Sequence, residues 1–170
     1  MRQNVGHEFD RLPATDAERE VEGRPSRQAV VDWWADRFGV DSSVFDEYTF
    51  WEKGKGKVWA LPFDLDPPVP VESLGMKFIR TRQEHWKPTT DAVQRFGGHA
   101  TRNVIDLDPD DAAAFVAGDT TEPEWDGDWG YLVVRHEIAG APEPIGVGLY
   151  VHHELRSMVP KGRQRDFRES

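Results

Sequence analysis

Cysteine is absent from this 170-residue chain. That excludes disulfides, thiolate metal sites, iron–sulfur clusters and every cysteine nucleophile. No apolar run approaches the roughly 18 residues that a membrane span needs. The N-terminal stretch MRQNVGHEFDRLPATDAERE carries no apolar signal-peptide core. A soluble, cytoplasmic protein is therefore expected. Internal repeats and low-complexity tracts are also missing.

Several familiar chemistries lack their residues. Gly146-Val-Gly148 begins a dinucleotide fingerprint but has no third glycine, and it falls inside a strand-like run. Glycine there fits close approach by a neighbouring strand or by a ligand. Gly54-Lys55-Gly56-Lys57 has neither the spacing nor the Ser/Thr of a phosphate-binding loop. Asp106-Leu-Asp108-Pro-Asp110 imitates a calcium loop, but Asp111 stands where the turn glycine belongs and Ala117 where the bidentate Glu belongs. Helix capping explains those aspartates better. The six histidines form no metal-helix pair, and no GxSxG elbow exists. No metal, no cofactor and no catalytic residue are expected; nothing in the sequence demands an enzyme.

Charge is what the chain has in excess, with 31 acidic against 21 basic side chains and a net charge of −10. Asp (17) exceeds Glu (14), and Arg (15) far exceeds Lys (6). We read this as the surface of a halophilic protein, kept hydrated in concentrated salt by dense carboxylates; a merely acidic protein is the other reading. The distribution is uneven. Residues 51–104 carry 9 basic and 6 acidic groups, whereas 105–135 carry 1 and 9, so the middle of an acidic protein is locally positive.

Hydrophobic period and punctuation organise the rest. Residues 1–25 lack apolar periodicity and read as a disordered arm. Ser26 caps a helix over about 27–38, with Val30, Trp33, Trp34 and Phe38 on one stripe and Gly39 as its stop. Strands are expected at 48–53 and 57–61 around a glycine loop, and at 74–81, 101–107, 129–137 and 144–153. Short helices are expected from Pro88 to about 96 and, behind Asp108-Pro109, to about 117. Many short strands with interrupting helices argue against a doubly wound sheet. The expected class is α+β: a mixed β-barrel over 74–165, an N-terminal α/β subdomain over 26–73, and the arm.

One constellation stands out. Lys53, Lys55 and Lys57 surround the first hairpin loop; Arg80, Arg82, His85, Trp86 and Lys87 crowd the end of the next strand. Arg102 opens a later strand, and Lys161 and Arg163 lie near the C-terminus. Cations beside aromatic faces suit single-stranded or irregular RNA, phosphate contacts giving affinity and stacking holding unpaired bases. Trp51 and Trp59 fall on strands and are expected in the core, which leaves Trp86 as the candidate stacking group. Asp91 and Arg95 are spaced for a pair on one helix face.

The ordered segments FWEKGKGKVWAL, LGMKFIRT, HWKPTTDAVQRFGGHATRNVIDLDPDDAAAFVAGD, WGYLVVRHE, PIGVGLYV and VPKGR resemble one family. It is the PUA-like, RNA-binding C-terminal region of RsmF-type ribosomal RNA cytosine-5 methyltransferases, over about 47–165. The resemblance implies a PUA-like barrel and adds Thr89, in Lys87-Pro88-Thr89, and the Pro160–Arg163 end as RNA-facing stretches. Those methyltransferases carry a separate catalytic domain with cysteines, and this chain has neither. A stand-alone, haloarchaeal-type RNA-binding half is implied, accessory to ribosomal or transfer RNA modification or ribosome biogenesis. Two other readings stay open: an adaptor for an RNA methyltransferase, docking through 119–128 and the arm, and a small RNA-processing enzyme using His85 or His99.

Overall fold

Ser26 and Gly39 delimit the first long element. In this computed structural model, which describes residues 7–164, Ser26 Oγ accepts the Ala29 N–H at 3.0 Å and Gly39 takes the left-handed conformation. Between them α1 runs Arg27–Phe38. It buries Val30, Val31, Trp34 and Phe38, while Trp33 is only partly covered. Gly39 has φ +64°, and a Cβ there would run into the Thr101 hydroxyl. Gly39→Ala combines left-handed strain with that clash, so it is expected to cost more than about 1 kcal/mol in urea unfolding.

Two sheets follow. The first is wholly antiparallel in the order β1 (Asp10–Arg11), β2 (Thr49–Glu52), β3 (Lys57–Leu61), β4 (Met76–Arg80) and β5 (Lys87–Pro88). The second contains β6 (Val104–Asp106), β7 (Gly130–Ile138), β8 (Ala141–Val151) and β9 (Glu154–Ser157). Its β6–β7 pair is parallel and the others are antiparallel. Helices α2 (Thr90–Phe96) and α3 (Pro109–Val116) complete the α+β architecture. Asp108 caps α3 by accepting the Asp111 N–H at 2.8 Å, and Asp106 is gripped by Arg135 at 2.9 and 3.1 Å. Helix capping and an ion pair thus account for Asp108 and Asp106, while Asp110 lies in the first turn of α3.

The barrel expectation is corrected: the sheets do not close on one another. Pro88 offers no N–H at the β5 edge, and the chain turns at once into α2. That helix packs against β4 of the first sheet and β8 of the second. Period-two alternation then splits the second sheet between two cores. Val133 and Val147 join α1, α2 and the first sheet, while Leu132 and Val134 face Phe115 of α3. Gly148 lies against Leu155, and Gly146 against Phe115, so these glycines serve internal packing.

The expected disordered arm is also corrected over its described part, 7–25; residues 1–6 lie outside the described residues. Phe9, Leu12 and Val21 are buried, and β1 extends the first sheet. Phe9 meets Trp59 edge-on at 5.3 Å, within a cluster that includes Trp51, Leu61 and Leu74. Trp51 and Trp59 are core residues, as their strand positions suggest. Arg24 locks the arm down, its Nε 3.1 Å from Glu52 and its Nη1 2.7 Å from Asp10. The boundary expected at 73/74 falls between β3 and β4, which are paired neighbours in one sheet.

Candidate nucleic-acid interface

The β2–β3 hairpin and the turn after β4 are tied together, because Thr81 N–H donates to Gly56 O at 2.9 Å. Gly56 has φ +81°, and a Cβ there would lie 2.5 Å from Cβ of Arg82. This close approach brings sequence-distant cations to one groove of about 950 Å³. Among the described residues Lys53, Lys55, Lys57, Lys77, Arg82 and Arg163 line it, with Glu72 and Asp91 as the only carboxylates on its walls. Six cations against two anions, in a chain of net charge −10, make a local inversion of sign.

Strand register sharpens the pattern. Lys57 stands opposite Arg80 on β4, and Arg80 stands opposite Lys87 on β5. Like charges placed directly across adjacent strands repel and lower stability. Burial, followed by the neighbouring Arg80 charge, holds the Lys87 ammonium below its ordinary value. Among the described residues none of these three cations has an ion-pair partner. A row of this kind is costly in the free protein and favourable against a polyanion.

Other expected contributors are already committed. Lys53 donates to Val71 O at 2.8 Å and lies over the Phe9 ring at 5.4 Å. Thr89 caps α2, accepting the Ala92 N–H at 3.1 Å and donating to Lys77 O at 2.6 Å. Arg163 forks onto Asp91 at 2.6 and 3.2 Å, an embrace that raises the guanidinium's affinity for its proton. Asp91 therefore engages Arg163, from another part of the chain, instead of the expected Arg95. Arg102 sits beside Gly39 at the end of α1, and Lys161 is exposed in a 3-10 turn; neither lines the groove. His85 and Trp86 lie in a separate cleft, so the candidate stacking group is apart from the lysines that line the groove.

Lys77 escapes sequence reasoning. Its ammonium lies 5.5 Å from the Trp59 ring centroid, and the two residues are register partners. Alternation along MKFIR puts Lys77 outside between Met76 and Phe78, but only the β3–β4 register reveals the partner. Among the described residues no group of His, Asp and Glu is arranged to hold a metal ion, and no helix is long and apolar enough to cross a membrane.

Two similarities to known proteins are found. Residues 1–75 match a family of unknown function (DUF7122), a stretch that ends just before β4. Over 113 residues, 65% of this chain, the sequence is 23% identical to the ribosomal RNA small subunit methyltransferase F of Aeromonas salmonicida (strain A449). The match takes in 23% of that enzyme's length, so the chain spans less than a quarter of it. The similarity is to part of a ribosomal RNA-modifying enzyme.

Proposed function

We propose that this protein binds RNA through the groove between the β2–β3 hairpin and the turn after β4, as an accessory to ribosomal RNA modification. The Lys57–Arg80–Lys87 register carries the reading, because repulsion built across three strands is relieved by phosphates. Lys57 shares the groove lining with Lys55 and Arg82, while Arg80 and Lys87 lie outside that lining and continue the row across β4 and β5. The part-length similarity to a ribosomal RNA methyltransferase supports RNA as the polyanion and rRNA modification as the setting. In this reading the chain supplies binding and position while a partner supplies chemistry.

Salt dependence tests it. Each phosphate contact on a single strand contributes about −0.7 to the slope of log affinity against log salt. Lys55, Lys57, Arg80, Arg82 and Lys87 together set an upper limit of about −3.5. Fluorescence anisotropy with a labelled single-stranded RNA should give a slope approaching that limit. Lys57→Ala should flatten it by about 0.7, whereas Lys161→Ala, outside the groove, should leave it unchanged. A wild-type slope near zero would overturn the assignment.

A further inference from the structure

On the far side of the 82–84 turn the sign of the surface reverses. A second cleft, of about 930 Å³, opens between α1, the 83–86 segment and β7–β8. Trp33, Trp86 and Trp129 line it beside Tyr131 and His85, and among the described residues its acids are Asp32, Asp36 and Glu84. Trp129 is 50% exposed, which is unusual for so large an apolar side chain. Among the described residues Arg37 is the one Lys or Arg that lines the cleft, and its Nη2 is buried without a hydrogen-bond partner. Its Nε donates to Tyr131 O at 2.8 Å, and its guanidinium sits under Gly130. Burial lowers its hold on its proton, partly offset by Asp128.

Indole faces attract cations through their quadrupole, and carboxylates add a direct counter-charge. Three carboxylates at the same opening repel phosphate, so this cleft selects the opposite ligand from the groove. Arginine fits best, because its planar guanidinium both stacks on an indole and forks onto a carboxylate. Arg82 lines the groove and Glu84 lines the cleft, so one short turn separates a cationic surface from an anionic one.

We infer that the Trp33–Trp86–Trp129 cleft docks an arginine-bearing segment of a protein partner, leaving the basic groove free. The proposal stands apart from the RNA reading and survives its failure.

The test uses the full chain labelled with ¹⁵N and two acetylated, amidated peptides, Gly-Arg-Gly-Arg-Gly and its neutral citrulline counterpart. The arginine peptide should move the indole N–H signals of Trp86 and Trp129 at millimolar concentration, and the citrulline peptide should not. Trp129→Ala and the pair Asp32→Asn/Glu84→Gln should each weaken the arginine peptide by about tenfold, the scale of one desolvated cation–π or charged contact. These positions are exposed or half-exposed, and circular dichroism checks that each variant is folded. Anisotropy with the single-stranded RNA should be unchanged by the Asp32→Asn/Glu84→Gln pair. The inference is overturned if both peptides shift the indoles equally or neither does. It is also overturned if guanosine monophosphate shifts them more strongly than the arginine peptide, which would make the cleft a base pocket.

Discussion

Replacing Arg24 by methionine is expected to destabilise the protein by about 3–5 kcal/mol, the usual penalty for stripping one partner from a buried ion pair. The Glu52 side chain is 1% exposed and that of Arg24 only 8%, so neither can turn to water when the other is removed. Asp10, the second partner, is 35% exposed and can be rehydrated, so Glu52 sets the size of the effect. A double variant separates pair from packing. Arg24→Met with Glu52→Met removes both charges together and should recover most of the loss, since apolar groups of similar volume replace a buried pair at little net cost. Urea denaturation of the wild type, Arg24→Met, Glu52→Met and the double variant gives the coupling energy directly. The same variants report on the arm. Arg24→Met should expose residues 7–25 to protease before the remainder unfolds, because Arg24 joins Asp10 of β1 to Glu52 of β2. If the double variant is as unstable as the single, the ion pair is not what holds the arm.

The arm also shows where sequence reading stops. Its apolar residues Phe9, Leu12 and Val21 follow no helical or strand period, so nothing local marks them as buried. Their partners are distant in sequence: Phe9 bridges to Val69 and packs on Trp59. Elements with their own punctuation were legible. Ser26 and Gly39 bound α1, and Asp108-Pro109 opens α3, because caps act within one turn. Barrel closure was not legible, since it depends on whether strand edges far apart in sequence meet, and no local pattern sets that. The site divides in the same way. Lys55, Lys57, Arg80, Arg82 and Lys87 stand out as local clusters, but only strand pairing aligns Lys57, Arg80 and Lys87. Thr89 and Arg163 drop back into structural roles because their partners, Lys77 O and Asp91, are set by tertiary packing. Trp86 separates from the lysines that line the groove for the same reason.

Arg80→Glu is expected to stabilise the fold while abolishing most RNA binding, two effects of opposite sign from one substitution. Arg80 occupies the middle of the row, facing Lys57 on one side and Lys87 on the other. A glutamate there turns two repulsive cross-strand pairs into two attractive ones. At about 0.2–1 kcal/mol per pair, the variant should gain up to about 2 kcal/mol, less what solvent screening removes at this exposed position. Arg80 also helps hold the Lys87 ammonium below its ordinary range, so the swap should move Lys87 back upward. Its sign follows from linkage: a lysine whose folded pKa is depressed is penalised in its charged form, and relieving that penalty favours the folded state wherever lysine is protonated. RNA experiences the reverse. The variant loses a charged contact of about 1.5–3 kcal/mol, equivalent to roughly 10- to 150-fold in affinity, and adds a carboxylate facing phosphate. Urea denaturation and anisotropy on the same preparation read the two quantities together. A row present only for structure would show stability changing and RNA affinity constant. A groove that binds RNA without using this row would show neither binding loss nor a flatter salt slope. Gain of stability with loss of binding is the outcome that marks Lys57, Arg80 and Lys87 as a surface built for phosphate.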